Sequence, residues 1–460
     1  MRLSDIFISP FTSGSSQTVA SILSEERALQ SMLDFEAALA MAEMQEQLIP
    51  AGTAETIATY CRMELFDLGE LTQAAELAGN LAIPMVKHLT ALVGEKDAKA
   101  AGYVHWGATS QDAMDTGLVL QLRDALVVLE GQMSVVCDVL AGLTERYRTT
   151  PMAGRTWLQQ AVPVTFGLKT AGWLDTMLRH RERLSELKMR VLVVQFGGAA
   201  GTLASLGARG TDVSRALAEE LGLRLPDVPW HSNRDRVAEV ATFCGLLVGT
   251  MGKVARDLSL MMQTEVGEVL EPAAEGRGGS STMPHKRNPV AAAGILAAAV
   301  RVPGLVGTML SAMVQEHERG VGGWQAEWEV LPEILKMTSQ ALEKLWETLA
   351  GLEVHTERME ENLGKTNGLV MAEAASMALA ESMGRGHAHG LVEAASQKAI
   401  AEQRHFLAVL KEDALVMQHL SAEQLEGLFN PLGYMGTAQA MIDRVLSSYA
   451  MVKKYGEVAR

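Results

Sequence analysis

Long runs of apolar residues at helical spacing constrain the fold of this 460-residue chain more than any other feature. In residues 27–47, for example, Leu29, Met32, Leu33 and Leu39 recur on one helical face. Comparable patterns cover residues 115–147, 164–191, 234–266, 288–317 and 324–349. Such helices exceed the usual globular length, and several in succession indicate an extended bundle. No segment shows sustained period-two alternation, so the sequence predicts an all-α protein with almost no sheet.

Glycine-rich interruptions and a change in composition suggest how the chain is divided. Glycines cluster in residues 197–201, 276–279 and 320–323, and shorter, more polar elements follow residue 355. We expect an N-terminal helical domain at residues 1–112, a central long-helix bundle at 113–355 and a C-terminal helical domain at 356–460.

The overall charge excludes some classes of partner. A net charge of −15 argues against a nucleic-acid-binding surface or an anionic-membrane surface. It does not exclude an anionic substrate, because a site can be locally positive inside an acidic protein. Arg155, Lys286, Arg287 and Arg319 are the candidates for that local charge.

Cysteine usage and hydropathy indicate the compartment. Cys61, Cys137 and Cys244 are far apart and form no CxxC or CxxH pattern, so we expect three buried thiols and neither a disulfide framework nor a zinc knuckle. The first residues lack the apolar stretch of a signal peptide. Residues 288–315 carry one charge, Arg301, and we expect Pro303 to split them into two pieces too short to cross a bilayer. The interpretation is a fully buried helix in a cytoplasmic protein.

The segment from Gly276 to Pro289 combines several kinds of chemistry. Glycines permit close approach of the backbone to a ligand, and Ser280 and Ser281 supply hydroxyl groups. Lys286 and Arg287 would favour an alkoxide and attract carboxylates. Asn288 is placed to cap a helix that begins at Pro289. A mobile surface connection would explain the glycines but not the residues that follow them.

This segment resembles the signature loop of the fumarase/aspartase superfamily, Gly-Ser-Ser-x-Met-Pro-x-Lys-x-Asn-Pro, which includes Met283. The resemblance implies that Ser280, the first serine of the pair, is the catalytic base and that the loop closes over the substrate. It also implies an all-helical homotetramer whose central helices form a common core and whose active sites are shared between subunits.

Residues 105–112, His-Trp-Gly-Ala-Thr-Ser-Gln-Asp, form a second cluster directly before a long helix. Hydroxyl and backbone donors at a helix N-terminus suit a carboxylate, although Ser110 or Asp112 could simply cap the helix. The resemblance implies that Thr109 and Ser110 bind a substrate carboxylate and that His105 lines the pocket.

Residues 155–165 resemble a third family segment, Arg-Thr-His-x-Gln-x-Ala-x-Pro-x-Thr, with one departure. The match makes Arg155 and Gln159 candidate substrate contacts, but Trp157 stands where most of these lyases have histidine. An indole donates a hydrogen bond but does not titrate usefully, so it cannot serve as an acid or base. Trp157 could be a core residue, but its place within a matched motif favours a pocket wall.

The loss of this histidine indicates the reaction. An amine or water leaving group needs a proton, whereas a carboxylate, whose acid has a pKa of about 4, does not. We therefore expect the branch of the superfamily that cyclises the tricarboxylate 3-carboxy-cis,cis-muconate to a lactone, with Ser280, Lys286 and Asn288 as catalytic residues. The alternatives are a C–N lyase like adenylosuccinate lyase, and a catalytically silent helical protein.

Three further segments have weaker interpretations. Arg319 could pair with a substrate carboxylate or belong to a surface salt-bridge face. Residues 230–236 resemble a family segment at a domain junction, either structural or at the pocket rim. His387 and His389 have a spacing sometimes seen in metal sites but lack nearby partners, so no metal and no organic cofactor is expected.

Overall fold

The computed structural model of the protein describes residues 18–273, 278–279, 282–283 and 285–458. Helices dominate these residues, which confirms the predicted all-α class. The helices are α1 (Val19–Ile22), α2 (Glu25–Gln45), α3 (Thr53–Tyr60), α4 (Leu68–Ala78), α5 (Ala82–Lys96), α6 (Ala98–Ala101), α7 (Ser110–Arg146), α8 (Phe166–Val191), α9 (Gly210–Leu221), α10 (Asp235–Met261), α11 (Val290–Ala312), α12 (Gly323–Ala350), α13 (Thr356–Gly364), α14 (Ala372–Met383), α15 (Arg385–Ala401), α16 (Phe406–Glu412), α17 (Ala414–His419), α18 (Ala422–Leu428) and α19 (Ala438–Val458). The strands are β1 (Pro151–Thr156), β2 (Gln159–Thr165), β3 (Val269–Leu270) and β4 (Glu353–Val354).

The predicted long helical segments correspond to α2, α7, α8, α10, α11 and α12, but one expectation is wrong. Pro303 does not split its segment, since α11 runs through it for 23 residues. A proline inside a helix removes one backbone hydrogen bond. The adjacent Val302 and, almost two turns later, Met309 are nevertheless buried, which stabilises the helix across this point.

Three helices, α7, α10 and α11, are long and apolar enough to cross a membrane by length and composition alone. In the most apolar window of α11, 28% of the residues are buried within the single chain. The expectation that this helix is fully buried is therefore wrong for one chain. Its exposed apolar residues need another explanation.

The chain divides into two compact units. Unit 1 comprises Met1–Gln132, Arg181–Gly249 and Ala297–Glu343, and unit 2 comprises Met133–His180, Thr250–Leu296 and Lys344–Arg460. The boundaries between them fall inside α7, α8, α10, α11 and α12. The three-domain division at residues 112 and 355 stays a prediction.

The core of unit 1 includes the apolar face of α2. Ser24 caps this helix by accepting a hydrogen bond from Arg27 N at 3.2 Å, and Glu25 and Glu26 complement the helix dipole in its first turn. Leu33 and Phe35 have no exposed surface. The α2 helix packs against α3 and α9.

Unit 2 contains a separate apolar cluster and a β-hairpin. The cluster is formed by α14 to α18, with fully buried Leu379, Phe406 and Leu425 among its members. Strands β1 and β2 pair antiparallel from Pro151↔Thr165 to Thr156↔Gln159, and the register shifts between Ala153 and Arg155. This irregularity interrupts the alternation of side chains, which explains why the sequence did not predict the hairpin.

Candidate active site

The second predicted cluster lies in unit 1, where residues 105–112 lead into α7. Ser110 is the first helical residue. Thr109 N donates to the Asp112 carboxylate at 3.0 Å, and Asp112 N donates to Thr109 O at 2.9 Å. Asp112 therefore caps the helix, as the structural alternative predicted. This cap fixes Thr109 and Ser110 at the end of a 37-residue helix, where the helix dipole favours an anion.

Asp112 also connects this turn to two distant segments of unit 1. Its carboxylate, which has no exposed surface, accepts hydrogen bonds from Gln195 Nε2 at 3.1 Å, Gly197 N at 3.0 Å and Gly198 N at 2.9 Å. His231 Nε2 lies 2.7 Å from the same carboxylate. A buried carboxylate is tolerated when its lone pairs are satisfied in this way. His231 thus contributes to the structural framework of this region.

Two glycines allow these segments to approach closely. Gly107 has φ 75°, and a Cβ there would lie 2.7 Å from the Leu206 side chain. Gly198 has φ 67°, and a Cβ there would lie 2.8 Å from Gly107 O. A larger residue at position 198 would clash with the backbone of this turn, and one at position 107 would have to displace the Leu206 side chain and adopt a positive φ.

A buried ion network supports the same helix one turn further on. Arg234, 1% exposed, donates to both Asp115 oxygens at 2.7 and 3.0 Å and to Glu327 at 2.6 Å. Trp324 Nε1 donates to Asp115 at 3.2 Å. Burial alone would lower the pKa of Arg234, but the two carboxylates outweigh it, and the net pKa is raised. Arg234 lies directly before α10, and its ion pairs with Asp115 on α7 and Glu327 on α12 make it a fixed structural cation.

His105 is the first residue of the segment that leads into α7, and its side chain pairs with a residue of α2. Its Nδ1 lies 2.6 Å from Oε1 of Glu36 on α2, and its backbone has φ 60°. Burial opposes protonation of the imidazole, but the charge and hydrogen bond of Glu36, together with the charge of Asp112, give a net rise in the pKa of His105. His105 is thus poised to carry positive charge.

Arg319 belongs to unit 1 and contacts the first glycine-rich loop. Its guanidinium donates to Ala199 O at 3.2 Å and Gly198 O at 3.5 Å. Within the described residues its Nε has no hydrogen-bond partner, and no carboxylate forms a salt bridge with it. The geometry therefore does not match the salt-bridge alternative, and its role toward a substrate carboxylate stays a prediction.

Arg155 lies on the hairpin of unit 2 and is already paired. It donates to both oxygens of Glu268 at 2.9 and 2.6 Å, and the Glu268 side chain has no exposed surface. Asn362 Nδ2 donates to Glu268 at 2.9 Å, and Gln160 Nε2 donates to Asn362 O at 2.8 Å. Bidentate pairing with a buried carboxylate makes Arg155 an anchor of the hairpin. Its predicted contact with substrate stays untested.

The tip of this hairpin presents two large apolar residues to solvent. Trp157 and Leu158 form its two-residue turn, with φ 51° and 64°, and are 98% and 77% exposed. Turns with two positive φ values favour Asn-Gly, so the backbone here is strained. Trp157 is thus not a core residue of the single chain. The neighbouring Gln159 is also exposed.

The signature loop is described only in part. Ser280 and Ser281, the proposed base and its neighbour, lie outside the described residues. Met283 is 42% exposed, and its carbonyl accepts a hydrogen bond from Lys286 N at 3.0 Å. Asn288 N donates to Gly278 O at 2.8 Å, which closes the base of the loop. A Cβ on Gly278 would lie 2.7 Å from Asn288 O, so this closure requires glycine.

The base of the loop is reinforced by a carboxylate that the sequence did not single out. Glu271, 4% exposed, accepts from Ala291 N at 3.1 Å and Ala292 N at 2.8 Å, and so caps α11. The cap predicted at Asn288 is therefore supplied by Glu271. Arg287 donates to both oxygens of Glu353 at 2.9 and 2.8 Å, so its charge is paired within the chain.

Comparison with known proteins gives the family. A family model described as lyase matches residues 12–304, and one described as adenylosuccinate lyase C-terminus matches residues 368–445. The chain belongs to the fumarase/aspartase superfamily. It is 54% identical to a 3-carboxy-cis,cis-muconate cycloisomerase of Pseudomonas aeruginosa over 93% of both chains. It is 51% identical to the enzyme of that name from Bradyrhizobium diazoefficiens, over 94% of this chain and 96% of the relative. The crystal structure of 3-carboxy-cis,cis-muconate lactonizing enzyme from Pseudomonas putida superposes with a TM-score of 0.89 at 50% identity, covering 94% of this chain and 97% of that one.

Membership of this superfamily explains the motifs but not the residues that hold them in place. Asp112 and His231 both lie in segments that resemble the family, but the two residues are 119 positions apart in the sequence. Glu36, Glu268 and Glu271 lie outside every quoted motif. Each of these glutamates lies inside an apolar pattern of the sequence. That placement was the available sign of a structural role, because buried charges are rare unless they are paired.

The remaining side chains considered as ligands have other places in the structure. Cys61, Cys137 and Cys244 are buried, as predicted, and none of them forms a disulfide. His387 and His389 are exposed in the first turns of α15. Among the described residues, no group of three or more His, Cys, Asp or Glu side chains is arranged to hold a metal ion.

Proposed function

We propose that the protein converts 3-carboxy-cis,cis-muconate into a carboxymuconolactone, a step in protocatechuate degradation. The observation that carries this proposal is the 54% identity, over 93% of both chains, to a cycloisomerase named for that substrate. Trp157, in place of the usual histidine of the superfamily, agrees with this substrate on chemical grounds.

The reaction is an internal addition in which the ionised substrate gains one proton and loses no atom. One substrate carboxylate oxygen forms a C–O bond to an alkene carbon, and the π electrons move to the neighbouring carbon. That carbon lies next to a second carboxylate, which takes up the negative charge as an aci-carboxylate. A proton from Ser280 then completes the lactone, and the serine regains a proton from solvent before the next turnover. Charge of this kind is best stabilised by donors and cations that are already in position.

The proposed roles follow from the motifs. Ser280 exchanges the proton, while Lys286, Asn288 and the backbone N–H groups of residues 279–281 stabilise the developing charge. Thr109 and Ser110 bind a carboxylate at the capped end of α7, a position that suits an anion. The other proposed substrate contacts are His105, Arg155, Trp157, Gln159, Ser281, Met283 and Arg319.

Trp157 is compatible with this reaction because the group that leaves when the lactone opens needs no proton. Opening the lactone releases a carboxylate, whose acid has a pKa of about 4, so no protonation is needed as the C–O bond breaks. A C–N lyase would need such help for its amine. The exposed indole at the hairpin tip is suited to pack against the flat diene and exclude water.

We further propose that the protein is a homotetramer with active sites shared between subunits. Support comes from apolar side chains that one chain leaves exposed. In unit 1 they include Leu246 on α10 and Val300 and Leu310 on α11, which are 57%, 80% and 47% exposed. Helices this apolar need a partner surface, and further copies of the chain would supply one. Multi-angle light scattering would give four times the chain mass.

The proposed partner is therefore a small tricarboxylate, with no metal or organic cofactor and neither nucleic acid nor membrane. The net charge of −15 supports the last two points. A cytoplasmic location agrees with three buried free thiols.

A spectrophotometric assay with three substrates tests the function. The protein should consume 3-carboxymuconate rapidly and leave adenylosuccinate and fumarate unchanged. Turnover of adenylosuccinate instead would support the C–N lyase alternative. Absence of any turnover by the intact tetramer would support a catalytically silent protein.

A further inference from the structure

Helix α2 carries two buried glutamates close to the turn that leads into α7. Glu36 is 1% exposed and Glu43 has no exposed surface. Their spacing of seven residues places them on one face of the helix. Neither belongs to a motif that resembles the family, and carboxylates are seldom fully buried unless they are paired. Two such residues on one face therefore call for a physical explanation.

The two glutamates differ in their partners. Glu36 Oε1 lies 2.6 Å from His105 Nδ1, whereas neither oxygen of Glu43 has a hydrogen-bond partner among the described residues. Burial, and then the charge of Glu36, raises the pKa of Glu43 to about 9. Glu43 is thus a neutral acid at pH 7, and Glu36 is the carboxylate that meets a positive charge.

The groups around His105 favour its charged form. Glu36 approaches from α2, and Asp112 acts from the first turn of α7. Cys61, after α3, is a neutral thiol, because burial and the charges of Glu36 and Asp34 raise its pKa. Two cations near the start of α7 have other partners: Arg319 donates to backbone carbonyls of the first glycine-rich loop, and Arg234 donates to Asp115 and Glu327.

The exposure of the pair is asymmetric. The Glu36 side chain is 1% exposed, but 16% of the His105 side chain remains exposed. A hydrogen bond at Nδ1 fixes the ring orientation and leaves Nε2 as the nitrogen available to another partner. The left-handed backbone of His105, with φ 60°, persists because contacts such as this one hold it.

We propose that Glu36 is a positioning residue of the active site, which holds His105 as an imidazolium with Nε2–H directed to a substrate carboxylate. This inference rests on the proposed function, in which His105 contacts the substrate. Glu36 itself acts only through His105.

The pair has a defined pH dependence. The imidazolium is present below the raised pKa of His105 and is lost as the pH rises through that value. In Glu36→Gln the amide oxygen can still accept from Nδ1–H, but the negative charge is gone. His105 should then lose its proton at lower pH, and the affinity for an anionic substrate should fall with it.

The test measures kcat and KM for 3-carboxymuconate between pH 5.5 and 9 in the tetrameric enzyme. In Glu36→Gln, KM at pH 8 should rise about tenfold, the worth of a charge-assisted hydrogen bond, with kcat little changed. The alkaline limb of kcat/KM should move to lower pH by about one unit. Glu36→Asp keeps the charge and should restore most of the wild-type profile. Glu43→Gln, a matched control on the same helix face, should keep it up to pH 8, because Glu43 with a pKa of about 9 is mostly neutral there.

Two outcomes would overturn the inference. One is a Glu36→Gln profile that coincides with the wild-type profile. The other is an equal effect of Glu36→Gln and Glu43→Gln, which would indicate packing of α2 alone. His105→Gln should raise KM by itself, and adding Glu36→Gln should change KM little further, whereas additive effects would also contradict the proposal. An inactive wild type would instead refute the proposed function.

Discussion

The start of α7 in unit 1 and the hairpin tip in unit 2 present predicted site residues in opposite ways. At the start of α7 the Asp112 carboxylate is buried and satisfied, since it accepts from Thr109 N, Gln195 Nε2, Gly197 N, Gly198 N and His231 Nε2. At the tip, Trp157 is 98% exposed on a strained backbone. The first region is complete within one chain. The second has the properties of a surface that another molecule covers.

The two regions meet different requirements of the same proposed reaction. Donors for a carboxylate act best when they are fixed before the substrate arrives, so a rigid framework suits them. An apolar wall contributes only once water is displaced from it. We therefore expect substitutions near α7 to affect folding and activity together, and loss of the exposed indole of Trp157 at the tip to affect activity alone.

The largest expected effect concerns the loop of unit 2. Ser280→Ala should leave the fold and tetramer intact but lower kcat by roughly 10³-fold or more, because the proposed proton donor is lost. Ser281→Ala, the matched control, should be milder. Steady-state kinetics with circular dichroism would measure both. Near-normal turnover by Ser280→Ala, with a large loss in Ser281→Ala, would reverse the assignment within the pair.

The second prediction tests whether the α7 region is preorganised. Asp112→Asn places an amide group among five donors, and it should lower the free energy of unfolding by about 2–4 kcal/mol as well as activity. Asp212→Asn is the matched control, because Asp212 pairs with Arg215 on the surface and contributes below about 1 kcal/mol. Chemical denaturation of both variants would measure this. Equal stabilities would show that the Asp112 network is not the framework we describe.

At the tip, Trp157→His should lower kcat/KM by about 1–3 kcal/mol of transition-state binding, through lost apolar contact. Stability should not change, since the indole is exposed in the single chain. The measurement is kcat/KM from pH 5 to 9 with a melting curve. A faster variant with a new limb near the histidine pKa would mean that general-acid help is needed, and the argument from the carboxylate leaving group would fail.

The smallest effect tests the strain at the same turn. Leu158→Gly should raise the free energy of unfolding by about 0.5–1 kcal/mol, because glycine adopts positive φ without a Cβ clash. The same substitution at Leu77, 94% exposed inside α4, should lower it by about 1 kcal/mol. Denaturant midpoints would compare the two. Destabilisation by both would show that Leu158 makes contacts that outweigh the strain.

The sequence predicted the helices well and their surroundings less well. Period-3.6 patterns located α2, α7, α8, α10, α11 and α12, because each has a continuous apolar face. It missed the hairpin, since Trp157-Leu158 lacks turn chemistry and the register shift hides the alternation. The sequence also predicted a break at Pro303. The helix α11 continues there, because burial of neighbouring residues outweighs the loss of one backbone hydrogen bond.

For the candidate site, the motifs identified residues 105–112, residues 155–165 and the signature loop. The partners of these residues could not be predicted, because each contact joins segments distant in sequence. Arg155 reaches Glu268, 113 residues away, and His105 reaches Glu36, 69 residues away. A charge pattern alone does not reveal which cation pairs inside the chain and which is free for a substrate.

Mixing two inactive variants tests most directly whether the signature loop of one chain and the α7 start of another combine into one active site. One variant would carry Ser280→Ala, and the other Thr109→Val with Ser110→Ala. After subunit exchange, verified by native mass spectrometry, the mixture should regain lactone formation from 3-carboxymuconate, since some sites would combine an intact loop with an intact α7 start. A mixture whose subunits have exchanged but whose activity stays at the level of the separate variants would contradict the shared site.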